Sequence, residues 1–290
     1  MPCKFFMILF FVMTFSVNAS EAKQGYATVS LDGQLGNQLF QIATAYAYAL
    51  DHNLAFTIPD LVHKKREGIA YNAEKLFLSK IDCYDVPYSP SLKWREPSFN
   101  YSKIPESTSI ELFGYFQSEK YFKHRRQEIL ELFAPPPRLK EKIVSKYPFL
   151  LSDVLVVGVQ IRDYRQERPF GDYHPTLDRD YYQRTMKMFP ENAIFLVSSN
   201  NRDHAYSCTE GLAKNIVYLQ GEDYIEEFYT LSLCKSFIIS NSSFGWWASW
   251  LCTHPKKTVL APDYWFSLPY DCESMRRDLL PPEYKVIKVK

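Results

Sequence analysis

The strongest constraint on the fold is a regular alternation of strand-like and helix-like segments in the second half of the chain. Short apolar runs (VLVVGVQI, AIFLVSS, FIIS) alternate with amphipathic runs (LDRDYYQRTMKMF, DYIEEFYTLSLC) between residues 154 and 262. Strands that alternate with helices along a chain form parallel sheets with helices on both faces. The pattern therefore predicts a doubly wound α/β domain.

The first half of the chain opens in the same way. YATVSL, at residues 26–31, alternates like a strand, and a segment with apolar residues at helical spacing leads to LAFTI, a strand-like run at residues 54–58. Further on, an amphipathic helix is predicted for residues 118–133, with Ser118 as its cap. These segments indicate a β-α-β unit in this half as well.

A proline run separates the two halves. Residues 134–137 read APPP, and proline both stops a helix and stiffens a connection. We predict an N-terminal domain at residues 25–135 and a C-terminal domain at residues 150–290, with a hinge near residues 135–153. The predicted fold class is α/β, with two Rossmann-like doubly wound domains that face a cleft.

The first 20 residues form a separate segment. An apolar run at residues 5–17 follows a single lysine, and small and polar residues up to Ala19 come after it. Such a segment is typical of a cleaved signal peptide, and the alternative is an uncleaved short anchor that holds the chain in a membrane. Both interpretations predict entry into the secretory pathway, and cleavage would predict secretion.

Composition excludes two classes of protein. The chain has 34 Lys and Arg against 33 Asp and Glu, a net charge of +1, so that it lacks the basic excess typical of nucleic-acid binding. Its hydrophobic fraction of 46% excludes a disordered chain. After Cys3, five cysteines remain, enough for up to two disulfides, and none of them has zinc-site spacing.

Four small polar residues lie between two segments that both look buried. Residues 240–243 read SNSS, after the strand-like FIIS and before the tryptophan-rich FGWWASWL. Ligands of doubly wound sheets bind beyond the carboxyl ends of the strands, and the start of a helix attracts anions there. We expect Asn241, Ser242, Ser243 and Phe244 to line an anion site. The alternative is that Ser243 only caps the helix and Asn241 only forms the turn.

Two other predicted strands end in candidate site residues. DGQLGNQ follows the first strand, and its candidates are Gly33, Gly36, Asn37 and Gln38, although a plain tight turn would have the same pattern. Arg162 follows VGVQI, where its guanidinium would suit a phosphate. The alternative for Arg162 is a surface ion pair with a nearby aspartate.

A possible metal motif stands at Asp178 and Asp180. A D-x-D pair suggests a metal site, but these acids come directly before a predicted helix, whose first turn favours carboxylates without any metal. We therefore expect no metal here.

These elements, in this order, resemble those of the alpha-1,2-fucosyltransferases of glycosyltransferase family 11. GQLGNQLFQIATAYA is similar to the opening GGLGNQLFQ segment of that family, and GYFQSEKYF to a segment in its middle. NSSFGWWASWL resembles the signature NSSFSWWaAWL, with Gly245 in place of serine, and VLAPDYWF resembles the closing pattern VIAPxxWF. The similarity extends over almost all of the chain from Tyr26 onward.

The resemblance implies a GT-B fold and an inverting transfer of L-fucose from GDP-fucose to the 2-hydroxyl of a galactoside, without a metal cofactor. The partners it implies are GDP-fucose and a galactose-terminated glycan, and the location it implies is the Golgi lumen or membrane, as a type II protein. Gly33, Gly36, Asn37 and Gln38 would face the donor. Residues 241–244 would line the nucleotide and phosphate site, and Arg162 would contact the diphosphate.

The chain departs from the family pattern at three places. Gln160 stands where the family motif HxRRxD has histidine, and the second arginine of that motif is absent because Asp163 and Tyr164 follow Arg162 directly. Asn200 and Asn201 stand where the family has an acidic S-D-D stretch that helps to recognise the base. Asn200 remains a candidate donor-binding residue, since its amide oxygen still accepts hydrogen bonds.

The catalytic base has several candidates. Asp163 falls at the aspartate of the family motif and is our choice, and Asp172 and His174 lie in the same loop. The predicted catalytic residues are therefore Arg162 and Asp163. The competing functions are a homologue that binds a glycan or a nucleotide sugar without transfer, and a fucosyltransferase with a different acceptor.

Overall fold

The structure, a computed structural model, describes residues 25–86, 88–167, 170–267 and 276–289. The predicted leader at residues 1–20 lies outside the described residues, as does Cys272. The four cysteines that the structure does describe, Cys83, Cys208, Cys234 and Cys252, are free thiols. None of the described helices combines the length and the apolar character that crossing a membrane requires.

The N-terminal lobe is built on a sheet of four parallel strands. Its strands lie in the order β2-β1-β4-β3, and α1 is buried along almost its whole length. The runs YATVSL and LAFTI predicted β1 and β2, and the run TSIELFGYF at residues 108–116 predicts β4. β3 lies in a proline-dotted region that has no strand pattern. The elements are β1 Tyr26–Val29, α1 Leu35–Asp51, β2 Ala55–Phe56, α2 Asp60–His63, α3 Ile69–Asn72, β3 Leu92–Arg95 and β4 Ile110–Phe113.

The single helix predicted for residues 118–133 is wrong. Ser118 does cap a turn, since its hydroxyl accepts a hydrogen bond from the Lys120 N–H at 3.3 Å, but the helix breaks at Phe122, where φ is −143°. At this break the Phe122 ring is fully buried and stacks on Trp247. The elements are two 3-10 turns, Glu119–Tyr121 and Lys123–Arg125, followed by α4 Arg126–Leu132 and α5 Pro137–Lys146.

The C-terminal lobe has six parallel strands in the order β10-β9-β8-β5-β6-β7. This is the strand order of a doubly wound Rossmann sheet. The chain first adds strands on one side of β5 and then on the other, so the topological switch point lies between β5 and β8. The predicted α/β class with parallel sheets is confirmed. The elements are β5 Val156–Ile161, α6 Phe170–Tyr173, α7 Arg179–Met186, β6 Ile194–Ser199, α8 Arg202–Thr209, β7 Ile216–Tyr218, α9 Tyr224–Ser232, β8 Ser236–Ile238, α10 Ser243–Leu251, β9 Val259–Pro262 and β10 Lys285–Ile287.

The tryptophans of α10 join the two lobes. Trp246, Trp247 and Trp250 are at most 1% exposed. The ring of Trp247 stacks on Phe122 with centroids 5.2 Å apart, and Phe40 of α1 lies 4.4 Å from Trp246. Buried aromatic pairs of this kind stabilise a fold beyond the area they bury. The hydrophobic core is therefore continuous between the lobes and fixes α1 against α10.

Candidate active site

The starts of two helices meet between the lobes. A Cβ atom added to Gly36, in the first turn of α1, would lie 2.4 Å from the Ser243 Oγ and 2.7 Å from the Ser243 carbonyl carbon at the start of α10. The first N–H groups of a helix have no partner within it, and the helix dipole is positive at this end. Two such ends at one place would favour a bound anion.

The loop before α1 is shaped by glycine and closed by polar side chains. Gly33 has a φ of +75°, which disfavours other residues. The Asn37 Oδ1 accepts a hydrogen bond from the Gln117 Nε2 at 2.9 Å. On the other helix, the Ser242 hydroxyl accepts a hydrogen bond from the Phe244 N–H at 3.4 Å, so Ser242 rather than Ser243 is the cap.

Arg162 reaches across the cleft from the end of β5. Its Nη2 lies 2.5 Å from the Glu167 Oε2 and 3.5 Å from the Gln34 Oε1, and Gln34 is the residue directly before α1. The guanidinium also lies over the ring of Tyr164, 5.3 Å from its centre. The positively charged guanidinium of Arg162 thus lies beside the helix starts and is paired with the Glu167 carboxylate.

Two of the predicted donor-binding residues are buried and support loops instead of facing the cleft. The Gln38 Nε2 donates to the Gly33 carbonyl at 2.8 Å, which fixes the loop before α1. The Asn241 Nδ2 donates to the carbonyls of Pro175 and Trp265 at 3.0 and 3.1 Å. Both side chains are fully buried, so they position the backbone around the site.

The surroundings of Asp163 do not suit a catalytic base. Its carboxylate is 3% exposed and receives hydrogen bonds from the Arg165 Nε and Nη2 and from the Asn201 Nδ2, all at 2.8 Å. The hydrogen bond from the Arg165 side chain is the main reason why the pKa of Asp163 is far below its usual range. An acid held in this way is a weak base. Its contacts instead stabilise the loop that follows Arg162.

Asn200 belongs to the same loop support. Its Oδ1 accepts from the Asp163 N–H at 2.8 Å, and its Nδ2 donates to the Asp163 carbonyl and to the Glu167 Oε1 at 2.8 and 2.9 Å. Asn200, predicted to bind the donor, therefore lies near Arg162, but its amide oxygen and nitrogen are both hydrogen-bonded within the protein. It holds the Glu167 carboxylate in place beside the guanidinium.

His174 has surroundings that differ from those of Asp163. Its ring stacks on Tyr164 at 4.8 Å, and its Nδ1 lies 3.3 Å from the Trp265 carbonyl. Burial is the main cause that lowers the pKa of His174, so the ring is neutral near pH 7. The Nε2 makes no hydrogen bond within the described part of the chain. Asp172, the remaining candidate for the base, is exposed.

Two departures from the family pattern form one packing arrangement. The Gln160 side chain is buried beneath α10, where its Oε1 accepts a hydrogen bond from the Ser240 Oγ at 2.5 Å. A Cβ added to Gly245 would lie 2.9 Å from this Oε1. Glycine at 245 therefore makes room for glutamine at 160, and the cleft is not directly changed by either residue.

The D-x-D pair has a structural role. The Asp178 Oδ1 accepts hydrogen bonds from the Asp180 and Tyr181 N–H groups and so caps α7, and Asp180 pairs with Arg184 at 2.8 Å. Across residues 25–86, 88–167, 170–267 and 276–289, three or more His, Cys, Asp or Glu side chains nowhere come together in a way that would hold a metal ion.

Sequence reasoning missed Gln34 and Glu167, which both contact Arg162. Gln34 stands where the family segment GGLGNQLFQ has its second glycine. This difference is the sequence signal that could have identified Gln34. Glu167 lies five residues after Arg162 in an irregular loop, and nothing in the sequence separates it from a solvated acid.

Comparison with known sequences identifies the family. The profile of Glycosyl transferase family 11 matches residues 2–276. An alpha-1,2-colitosyltransferase of Escherichia coli is 27% identical, over 81% of this chain and 91% of that protein. Galactoside alpha-(1,2)-fucosyltransferase 2 of Oryctolagus cuniculus is 25% identical, over 87% of this chain and 75% of that protein.

The fold is similar to that of solved fucosyltransferases. A crystal structure of NodZ alpha-1,6-fucosyltransferase soaked with GDP-fucose superimposes with a TM-score of 0.51 and 14% identity, over 78% of this chain and 92% of that chain. A structure of NodZ from Bradyrhizobium gives a TM-score of 0.50 at 12% identity, with the same coverage. These similarities confirm a GT-B-like arrangement. With a family profile that matches nearly the whole sequence, the chain belongs to glycosyl transferase family 11.

Proposed function

We propose that this protein transfers L-fucose from GDP-fucose to the 2-hydroxyl of a galactoside on a glycan. The observation that carries the proposal is the position of Arg162, which faces the two helix starts that meet at Gly36 and Ser243. Fixed positive charge at a cleft between two lobes suits a nucleotide diphosphate. The names of the family relatives support alpha-1,2 transfer to a galactoside.

The same groups would favour the transition state over the bound substrate. Breaking the bond between fucose C1 and the diphosphate oxygen leaves negative charge on GDP, and the guanidinium and the helix-end N–H groups would stabilise this charge as it develops. The diphosphate would replace the Glu167 carboxylate as the partner of Arg162. Because these groups supply the positive charge, the proposed mechanism uses no metal.

We propose His174 as the base in place of Asp163, because its imidazole is neutral and its Nε2 makes no hydrogen bond within the described residues. The base must be unprotonated, so kcat should rise with pH through the lowered pKa of His174 and stay level above it. His174→Ala should lower kcat by about 10²-fold and remove this rise. A pH–rate profile of the variant with the rise intact would exclude His174.

The proposed function is tested by a transfer assay with labelled GDP-fucose and a panel of β-galactosides, in the presence of EDTA. We expect a product with fucose on the galactose 2-hydroxyl, formed at the same rate with and without the chelator. A nucleotide-linked colitose belongs in the donor panel, because one relative is an alpha-1,2-colitosyltransferase. Absence of transfer from either donor to every acceptor would contradict the proposal.

A second candidate function is binding of a nucleotide sugar without transfer. The observation in its favour is the ion pair of 2.5 Å between Arg162 and Glu167, which occupies the cation that the diphosphate needs. If this pair persists when the donor binds, the guanidinium cannot stabilise the leaving group. Tight binding of GDP-fucose without transfer or hydrolysis would identify this function.

A further inference from the structure

A cavity of about 620 Å³ lies at the end of α10, whereas the candidate active site lies at its start. Its walls come from both lobes, with Lys123 and Arg126 on one side and Thr253, His254 and Lys257 on the other. An α-helix rises about 1.5 Å per residue, so the nine residues of α10 place the two ends about 13 Å apart. The cavity therefore lies outside the proposed donor site.

Two cations in this cavity have no acidic partner. The Arg126 guanidinium lies over the Trp250 ring, 4.1 Å from its centre, and its Nη2 donates to the carbonyls of Trp250 and Cys252 at 2.7 and 3.4 Å. The Lys257 Nζ donates to the carbonyls of Ser249 and Cys252 at 2.9 and 3.1 Å. Neither cation pairs with a carboxylate in the part of the chain that the structure describes.

A simpler interpretation is that both cations only cap α10. The carbonyls that they contact belong to the end of this helix, where the last carbonyls have no partner within it. The helix dipole, however, places only about half a negative charge at this end. Two full positive charges exceed it. Arg126 and Lys257 are both half-buried, and charges removed from water are normally paired. Capping therefore accounts for part of the positive charge and leaves an excess.

The acidic side chains at the cavity do not remove this excess. Glu119 pairs with Lys123 at 3.3 Å, and Glu283 is exposed. Burial is the main cause that lowers the pKa of Lys257, and the positive charge of Arg126 lowers it further. The negative charges of Glu283 and Glu119 oppose this shift without reversing it. The surroundings of Lys257 are therefore short of negative charge.

The cavity also contains hydrogen-bond donors that the protein leaves unused. Within the described residues, the Nε and Nη1 of Arg126, the third N–H of Lys257 and the Thr253 hydroxyl make no hydrogen bond. The His254 Nδ1 is buried and has no partner there either. The Arg126 Nη2 belongs to both two-donor edges of the guanidinium and already donates to carbonyls, so the planar bidentate pair with a carboxylate is not available. Single donors on several residues suit a tetrahedral oxyanion better.

We propose that this cavity binds a phosphate or sulfate group, whose double negative charge neutralises Arg126 and Lys257 together. The group would bridge the lobes, since Arg126 is the first residue of α4 and Lys257 lies between α10 and β9. Small-molecule sites typically have volumes of about 300–1,000 Å³, so the cavity has room for more than the oxyanion itself. The group is therefore either a free ion or an ester on a larger molecule. The inference goes beyond the proposed function and does not depend on it.

Calorimetric titration of the whole protein with sodium sulfate tests the inference, because sulfate is a dianion at neutral pH. Ionic strength is held constant with NaCl to separate binding from screening. We expect saturable binding at one site. Lys257→Gln should weaken it by about tenfold or more, because a hydrogen bond to a charged group is lost. Lys256→Gln makes the same charge change at the exposed neighbouring position and should bind sulfate like wild type.

The donor cleft is also expected to attract anions, and Arg162→Ala separates the two places. Sulfate binding that survives in Arg162→Ala and is lost in Lys257→Gln supports the inference. The reverse pattern, or no saturable binding to wild type, would overturn it. Lys257→Gln should keep wild-type affinity for GDP-fucose, whereas failure of every form to bind GDP-fucose would overturn only the proposed function.

Two further measurements complete the test. A wild-type crystal soaked in selenate, which anomalous scattering distinguishes from other anions, needs no variant. A selenate peak between Arg126 and Lys257 is expected, and its absence at saturating selenate would contradict the inference. Galactose 6-sulfate is then compared with inorganic sulfate. Tighter binding of the ester would identify a group on a larger molecule, and equal or weaker binding a free ion.

Discussion

Arg162→Ala is expected to lower kcat for fucosyl transfer by about 10²–10³-fold or more, with the fold unchanged. The reason is that a fixed donor aimed at the leaving group acts mainly in the transition state, and loss of one such donor has an effect of this size. The Arg162 side chain is 19% exposed, pairs with Glu167 and lies over the face of Tyr164, and it belongs to neither of the hydrophobic core clusters, so we expect the variant to fold. Steady-state kinetics and the melting temperature measure the two parts of this expectation.

Two further variants sharpen this test. Arg162→Lys keeps the positive charge but loses the planar fork, so its kcat should lie between those of wild type and the alanine variant. Arg138→Ala removes an exposed arginine of α5 and should leave kcat unchanged. Near-normal turnover of Arg162→Ala would refute the assigned role of the guanidinium.

Gly36→Ala is expected to weaken both folding and donor binding. Alanine normally stabilises a helix relative to glycine by about 1 kcal/mol. At this position the added Cβ would lie 2.7 Å from a backbone atom of Ser243, so α1 and α10 must separate. Overpacking of this kind destabilises a protein by about 1–3 kcal/mol. Chemical denaturation measures the free energy of unfolding, and titration with GDP-fucose measures donor affinity. We expect both to decrease in the variant.

Gly245→Ala is the matched control, since it adds the same methyl group within α10. Its Cβ would lie 2.9 Å from the Gln160 Oε1, which is the end of a flexible side chain and not backbone. Its effect on stability and donor affinity should therefore be the smaller of the two. If Gly36→Ala binds GDP-fucose as tightly as wild type, the contact between the helix starts does not form the donor site.

The sheets of this protein could be predicted from its sequence, because parallel strands are buried on both faces and appear as apolar runs. VVGVQI and IFLVSS are fully or largely buried strands for this reason. β3 and β10 were not predicted, because they are short and partly exposed. Their positions depend on pairing, β3 with β4 and β10 with β9. Such tertiary effects leave no periodic signal in the sequence.

The candidate site could be predicted only in outline. Strand ends and helix starts identified Arg162, Gly36 and Ser243, since these positions follow from the order of elements. The directions of individual side chains did not follow from it. Asn241 points into the protein to satisfy two backbone carbonyls, and Asp163 is enclosed by donors from Arg165 and other parts of the chain. Long-range hydrogen bonds of this kind depend on the complete fold.

The central claim is that a nucleotide diphosphate binds where α1 and α10 begin, opposite Arg162. A crystal structure of the protein with GDP tests this claim most directly. We expect the diphosphate within hydrogen-bond distance of the Arg162 guanidinium and of the first N–H groups of α10, with Glu167 displaced from Arg162. A diphosphate bound elsewhere, with the pair of Arg162 and Glu167 intact, would contradict the account.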